Sequence, residues 1–437
     1  MTEIQSTIEE TGPIARTLKV SVSPDHVRSR FDRAYKSLQG KAQLKGFRKG
    51  KAPRPMLEQV YGAQVERDVL SELIEEGCAQ SIREHKLDIV TAPRLVKHDY
   101  EGGGSGLSFE AAVDIRPDVK LGKYLGLETE KLIARVEDSH VDAAVESLRS
   151  RMAVLRIEEE RTTVEKGDVI VFTMFGFEGD TAVPGTAGEG LLLEVGSGRF
   201  PEDFEKQLPG VVRGLRTPIT VTFSDSHTDE NLRGKTIRFD VTVTEIKVKV
   251  LPPLDDNLAA EAGVEGVETL EALREKIRED LGARARRDAE RRMQNTLIGR
   301  LVETHEFEVP PSLLHETIHG YMHEMGSHAA HDSEESKEMH EALAPRARGE
   351  LRAGFILDAI AAAENVEVTK EEMENRIRAH LASAGNRLEE LRRHYSQASA
   401  IAELRRNLLR EKAAQRVFES ASVQEREVED GKVADRG

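Results

Sequence analysis

The feature that most limits what this chain can fold into is a change in the period of its apolar residues. After Gly167 they gather in short strand-like runs, 168–177 (DVIVFTMFGF), 191–195 (LLLEV), 219–223 (ITVTF) and 236–248 (TIRFDVTVTEIKV), parted by Gly and Pro turns. From Glu268 to Ser420 they recur every third or fourth position instead. Leu270, Leu273, Ile277 and Leu281 make one such stripe, Leu351, Phe355, Leu357 and Ile360 another, and Ile401, Leu404, Leu408 and Leu409 a last one. Period two is the mark of half-buried strands and period 3.6 of helices, so the two stretches are expected to fold as separate units.

The first 115 residues mix both periods. Strand-like alternation at 14–22 and at 107–115 (Leu107, Phe109, Ala111, Val113, Ile115) brackets helical spacing at Val27, Phe31, Ala34 and Leu38, then Val65, Val69, Leu73 and Ile74. Ser23, Pro24 and Asp25 supply an N-cap, an N1 proline and a first-turn acid for the first helix. Pro53 and Pro55 are read as opening a separate short helix, and Gly102–Gly104 as a hairpin connection. A connector follows, with Val141, Val145, Leu148, Met152 and Leu155 on one helix face, and Thr369 with Glu372 spells a capping box. The fold class is therefore α+β multidomain, and 437 residues suit about three domains. Expected boundaries are an α+β head at 1–115, a connector helix at 116–165 packing with the C-terminal body, and a β-rich domain at 166–249. An elongated all-helical body with arms occupies 250–420, and a polar tail at 421–437 is expected to be disordered.

Composition narrows the function classes. One cysteine, Cys78, excludes an intrachain disulfide and fits a reducing compartment. The acidic N-terminus lacks the basic and apolar regions of a secretory signal. No run of about 18 apolar residues offers a membrane span. A cytoplasmic protein without membrane attachment is expected. Net charge is −16, yet Arg16–Arg54 holds twelve Lys/Arg against two Asp, a local +10. Such asymmetry points to contact with a polyanion at one end of the molecule.

That charge culminates in LKGFRKGKAP, residues 44–53, where Lys45, Arg48, Lys49 and Lys51 surround Phe47 between Gly46 and Gly50. A solvated loop would account for the charges but not for an aromatic at its tip. Cations on phosphates with one aromatic anchor suit docking on a ribonucleoprotein surface. A second motif, HETIH at 315–319, matches the zinc-protease pattern in which two histidines hold the metal and Glu316 acts as general base. His323, His328, His331 and His340 follow, but the extended form of the pattern needs glycine at 322 and Met322 stands there. Catalytic zinc, adventitious metal binding and a solvated helix face all fit these residues, the last being the plainest. The glycine-rich EGGGSG at 101–106 lacks a phosphate-binding lysine, and no nucleophile motif is present. No cofactor and no resident metal are expected.

GFRKGKAP resembles the ribosome-docking signature of the bacterial trigger factor family. PRPMLEQVYGAQVERDVLSELI continues that family's pattern, SHTDENLRGKTIRFDVTV resembles the end of its middle domain, and the domain order agrees. The resemblance implies that Gly46, Phe47, Arg48, Lys49, Gly50, Lys51 and Pro53 dock at the polypeptide exit of the large ribosomal subunit, against rRNA and protein. It also implies an ATP-independent chaperone that keeps nascent and unfolded polypeptides open, with self-association into a homodimer off the ribosome. Its middle domain would be an FKBP-like peptidyl-prolyl isomerase, making the chain an enzyme by resemblance. The positions matching the isomerase pocket are Met174, Val183, Phe200, Phe204, His227, Leu232 and Phe239. Several depart from the family. Met174 replaces an aromatic, Val183 and Pro184 replace an aromatic–acid pair, Pro201–Glu202–Asp203 interrupt Ile-Pro-Gly, and His227 replaces a tyrosine. The pocket is therefore read as eroded, with weak or lost isomerisation, and no catalytic residue is assigned. Met322, Met325, Met339 and Phe355 are candidate client contacts, with helix packing as their plainer role. The alternatives are a non-catalytic ribosome- or RNA-binding protein without clients, and a zinc protease built on HETIH.

Overall fold

The computed structural model describes residues 3–42, 47, 51–224, 229, 232–326 and 333–429. The head comprises β1 (Ile4–Glu10), β2 (Ala15–Val22), α1 (Pro24–Lys41), α2 (Arg54–Glu84), β3 (Arg94–Asp99) and β4 (Leu107–Asp114). Next come β5 (Glu128–Ala134), α3 (Asp138–Arg151), β6 (Val154–Ile157), β7 (Val169–Glu178), β8 (Thr181–Ala182), β9 (Gly188–Glu194), α4 (Glu202–Glu205), β10 (Arg216–Thr222) and β11 (Thr236–Val250). The remainder is helical until its last strand: α5 (Asp256–Glu261), α6 (Leu270–Thr304), α7 (Pro311–Glu324), α8 (Glu334–Ala363), α9 (Lys370–Ala382), α10 (Leu388–His394), α11 (Ala398–Ser420) and β12 (Ser422–Val428). The chain divides into two compact units, 1–131 with 291–425, and 132–290 with 426–437.

In the first unit, an antiparallel sheet in the order β1-β2-β4-β3 turns Leu18, Val20, Val22, Leu107, Phe109, Ala111 and Val113 towards α1 and α2. Ser23 caps α1 by accepting from the His26 amide at 3.4 Å. Residues 54–84 form one helix of 31 residues rather than a short helix and a second one. Prolines in its first turn remove no intrahelical bond. Gly77 is where α2 crosses the sheet, since a Cβ there would lie 2.8 Å from the Phe109 ring. The β3–β4 hairpin turns on Gly102, Gly103 and Gly104, at φ 83°, 61° and 78°. Three successive left-handed residues are a conformation that only glycine adopts at low cost.

The helical part of this unit packs Leu301 of α6, Ile356 and Ile360 of α8, and Ala413 and Val417 of α11 into one cluster, joined by Val119, Leu121, Tyr124 and Leu127. A smaller cluster joins α7 to α8 through Ile318, Met322 and Ala347. The capping box at α9 forms as expected, with Thr369 and Glu372 exchanging bonds at 2.8 and 3.2 Å.

In the second unit the sheet runs β10-β11-β7-β8, with β6 on β11 and β9 on β7. Its core includes Ile170, Phe172, Leu193, Ile219, Ile237, Val241 and Val243. Val141 and Val145 of α3 pack with Leu258, Leu270, Ile277 and Leu281. Leu155 is not on that helix face. It lies in β6, exposed, because α3 ends at Arg151. The expected disordered tail is corrected in part: Ser422–Val428 form a strand that pairs with β5, and Ser422 donates to the Leu127 carbonyl at 2.9 Å. Residues 430–437 lie outside the described residues. Among the described residues no helix is long and apolar enough to cross a membrane.

Candidate functional site

The basic loop springs from a fixed base. At its start Ala42 is buried and its amide bonds the Leu38 carbonyl at 2.7 Å, closing α1. At its end Ala52 is buried in the same core, and Gln39 donates to its carbonyl at 2.8 Å. Between these anchors Phe47 is 37% exposed and Lys51 is exposed, as is Pro53 just beyond Ala52. Gly46, Arg48, Lys49 and Gly50 lie outside the described residues.

The remaining described cations of residues 16–54 divide into paired and unpaired ones. Arg16 pairs with Glu10, Lys19 with Glu9, Arg28 with Asp25 and Arg30 with Glu76. Arg54 pairs with both Asp32 and Glu58 and lies over the Tyr35 ring. By contrast, Arg33, Lys36, Lys41 and Lys51 are exposed and make no ion pair among the described residues. Lys41 and Lys51 border the loop directly. Cations already neutralised by carboxylates contribute little to polyanion binding, whereas these keep their full field.

In the β-rich domain Phe172, Phe200, Phe204 and Phe239 form one aromatic group, and Met174, Val183 and Leu232 pack against the same core. Phe204 meets Phe239 edge-on at 5.7 Å and Phe200 in a stack at 5.2 Å. Thus six of the seven expected pocket residues come together, and His227 lies outside the described residues. Phe204, the expected floor, is only 1% exposed. Gly176 on β7 is required beside Phe239: a Cβ there would lie 2.3 Å from Thr186 Oγ1 and 3.1 Å from the Phe239 ring.

A residue that sequence reasoning missed holds the loop carrying Phe200. Glu205 is 5% exposed and accepts from the amides of Gly196 at 2.8 Å, Gly198 at 3.1 Å and Phe200 at 2.8 Å. Burial by itself would raise its pKa, but the Phe200, Gly198, Gly196 and Arg199 amides outweigh that and hold it below the ordinary glutamate value. Nothing in the string GSGRFPEDFE announces this, because bonds to backbone amides leave no residue pattern. A cavity of about 570 Å³ adjoins the loop, lined by Lys166, Gly196, Phe200, Glu202, Lys206 and Pro209 among others.

The four candidate client contacts divide. Met322 is buried between α7 and α8, Met339 packs partly on the same cluster, and Phe355 is buried edge-on to Phe307 under Arg116. In this conformation each of these three fills space between helices. Met325 alone is open, at 66% exposure. Of the histidines, His315, His319 and His340 approach one another, His323 is exposed, and His328 and His331 lie outside the described residues. Among the described residues no ready-made group of three metal ligands is assembled.

Comparison with known proteins finds relatives along most of the chain. The family model described as bacterial trigger factor protein (TF) matches residues 4–148, and that described as its C-terminus matches 269–419. A trigger factor of Anaeromyxobacter dehalogenans is 32% identical over 425 residues, covering 96% of this chain and 99% of its own. One from Lysinibacillus sphaericus is 35% identical over 370 residues, covering 82% and 86%. A solved trigger factor chaperone, described under promiscuous substrate recognition in folding and assembly, aligns over 95% of this chain and 99% of its own at 19% identity and a TM-score of 0.46. With both ends matched by its models and nearly the whole length shared with such relatives, the chain belongs to the trigger factor family of ribosome-associated chaperones.

Proposed function

We propose that residues 46–53 dock this chain at the polypeptide exit of the large ribosomal subunit, where it holds emerging polypeptides open without ATP. The observation that carries this is the distribution of cations on the head. Lys41 and Lys51 flank the loop exposed and without an ion pair among the described residues, with Phe47 exposed between the buried Ala42 and Ala52. Charge supplies attraction to rRNA and the aromatic supplies a fixed anchor. Client contacts are small and scattered, Met325 being the open one, so each grip is weak and reversible.

The middle domain in this reading is an FKBP-like isomerase with an eroded pocket and weak activity. Such a pocket works by shape and desolvation around a twisted prolyl amide. Phe204 has almost no accessible face, and Phe200 stacks over it. Off the ribosome the chain pairs with a second copy, and its working compartment is the cytoplasm. The test is aggregation of a chemically unfolded client, followed by light scattering without ATP and alongside proline-limited refolding of a second substrate. Suppressed scattering with little acceleration of refolding is expected. Unsuppressed scattering would refute the holding function and leave a ribosome-binding protein without clients. Refolding as fast as with an intact isomerase would refute the erosion.

A further inference from the structure

Six of the fourteen histidines fall between His315 and His340, and the chaperone reading uses none of them. His315 and His319 are one turn apart on α7, and His340 comes from the start of α8. His315 Nδ1 lies 3.3 Å from His340 Nε2. The three ring centroids are 4.3, 5.5 and 6.5 Å apart. All three side chains reach solvent, His315 being exposed and the other two half-buried.

These distances match what a tetrahedral cation demands. With metal–nitrogen bonds of about 2.0–2.1 Å, two ligating nitrogens stand ~3.3 Å apart and two imidazole centroids ~5 Å apart. The His315–His340 contact already has the first spacing, and the three centroid distances bracket the second. The three side chains do not yet converge on one point. Closing the triangle needs rotation of His319 towards His340, the widest pair. The backbone beneath is fixed by Ile318, Met322 and Ala347 packing α7 on α8, by Arg346 over the Tyr321 ring, and by Tyr321 bonding Glu350.

We propose that His315, His319 and His340 bind one divalent cation of the zinc type, with water in the fourth position, tying α7 to α8. The neutral imidazole set selects zinc, cobalt, nickel or copper ions over magnesium or calcium, which prefer oxygen. The role is structural, a cross-link between helices whose connecting residues lie outside the described set. It stands whether or not the docking proposal does.

The test uses the full tag-free chain, stripped of metal, titrated calorimetrically with Zn²⁺ and followed by visible absorption with Co²⁺. One equivalent is expected, with the intense absorption of tetrahedral cobalt, and tenfold excess Mg²⁺ should not compete. His340→Gln and His319→Gln should each weaken Zn²⁺ at least ~10-fold, while His394→Gln should leave it unchanged. Zn²⁺ should also slow amide exchange in α7 of the wild type and not of His340→Gln, a readout that folding failure would not mimic. Absence of a stoichiometric site, or affinity that His340→Gln leaves intact, would overturn the proposal. So would weakening by His394→Gln equal to that by His340→Gln, which would mark adventitious surface binding.

Discussion

Replacing Glu205 by Gln should loosen one loop of the β-rich domain and little else. In the wild type Oε2 accepts from Gly196 and Gly198 while Oε1 accepts from Phe200. Glutamine keeps one carbonyl oxygen, enough for the glycine pair, and turns its NH₂ towards the Phe200 amide. The loss is one charge-assisted bond and the facing of two donors, ~2 kcal/mol, and Glu205→Ala, which orphans all three amides, should cost ~4 kcal/mol. Hydrogen exchange reads the local opening directly. For ~2 kcal/mol, the Gly196, Gly198 and Phe200 amides should exchange ~30-fold faster in the Gln variant while the β11 amides stay protected. The depressed pKa adds a sign. A carboxyl held below its unfolded value stabilises above that unfolded value and loses the contribution as pH falls through the folded one. The gap between wild type and Gln should therefore be full near neutrality and shrink in acid below ~pH 4. Equal exchange in the two proteins at pH 7, or a gap that widens in acid, would refute the assignment.

Gly176→Ala puts a methyl 2.3 Å from Thr186 Oγ1, which must move and break its 2.6 Å bond to the Val183 carbonyl. A loss of ~1–3 kcal/mol is expected by thermal melting, and an unchanged midpoint would contradict the packing. Asp358 receives Arg410 at 2.6 and 2.8 Å and Arg116 at 2.9 Å, so Asp358→Ala strands the half-buried Arg410 guanidinium and leaves Arg116 with Asp88 alone. Urea denaturation should show ~2–3 kcal/mol lost, and less than 1 would refute the network. Burial raises the Cys78 thiol pKa and encloses it in the head's core. Its reaction with a disulfide reagent should therefore track unfolding of the head across a denaturant series, and fast reaction in buffer would contradict the core assignment.

The sequence made legible those elements that bury one face. β2, β4, β10 and β11 were readable because Leu18, Phe109, Ile219 and Val241 alternate with polar residues over a core, and β7 because Ile170 and Phe172 stand in a short apolar run. β3 and β12 were not, since every residue of β3 is exposed and β12 is nearly as open, so neither has an alternation to read. β1 lies at a sheet edge with Ile4 as its one buried side chain. Pro53 and Pro55 do open a helix, but it runs on through Glu84 as α2 where a short separate one was expected. At the candidate sites, the family resemblance put Phe204, Phe200 and Phe239 in one pocket, and they share one core. It did not expose Glu205, Gln39 or Gly176, whose work is done on backbone amides, a carbonyl and a space too small for a methyl.

Docking through the loop at 46–53 is the central claim, and ribosome sedimentation tests it most directly. Wild type and a Phe47→Ala/Arg48→Ala/Lys49→Ala variant would be pelleted with purified ribosomes at two salt concentrations. The wild type should co-sediment at low salt and weaken at high salt, as phosphate contacts require. The variant should remain in the supernatant at both, with its fold intact because Ala42 and Ala52 still anchor the loop's ends. Co-sedimentation of the variant at the wild-type level would contradict the account.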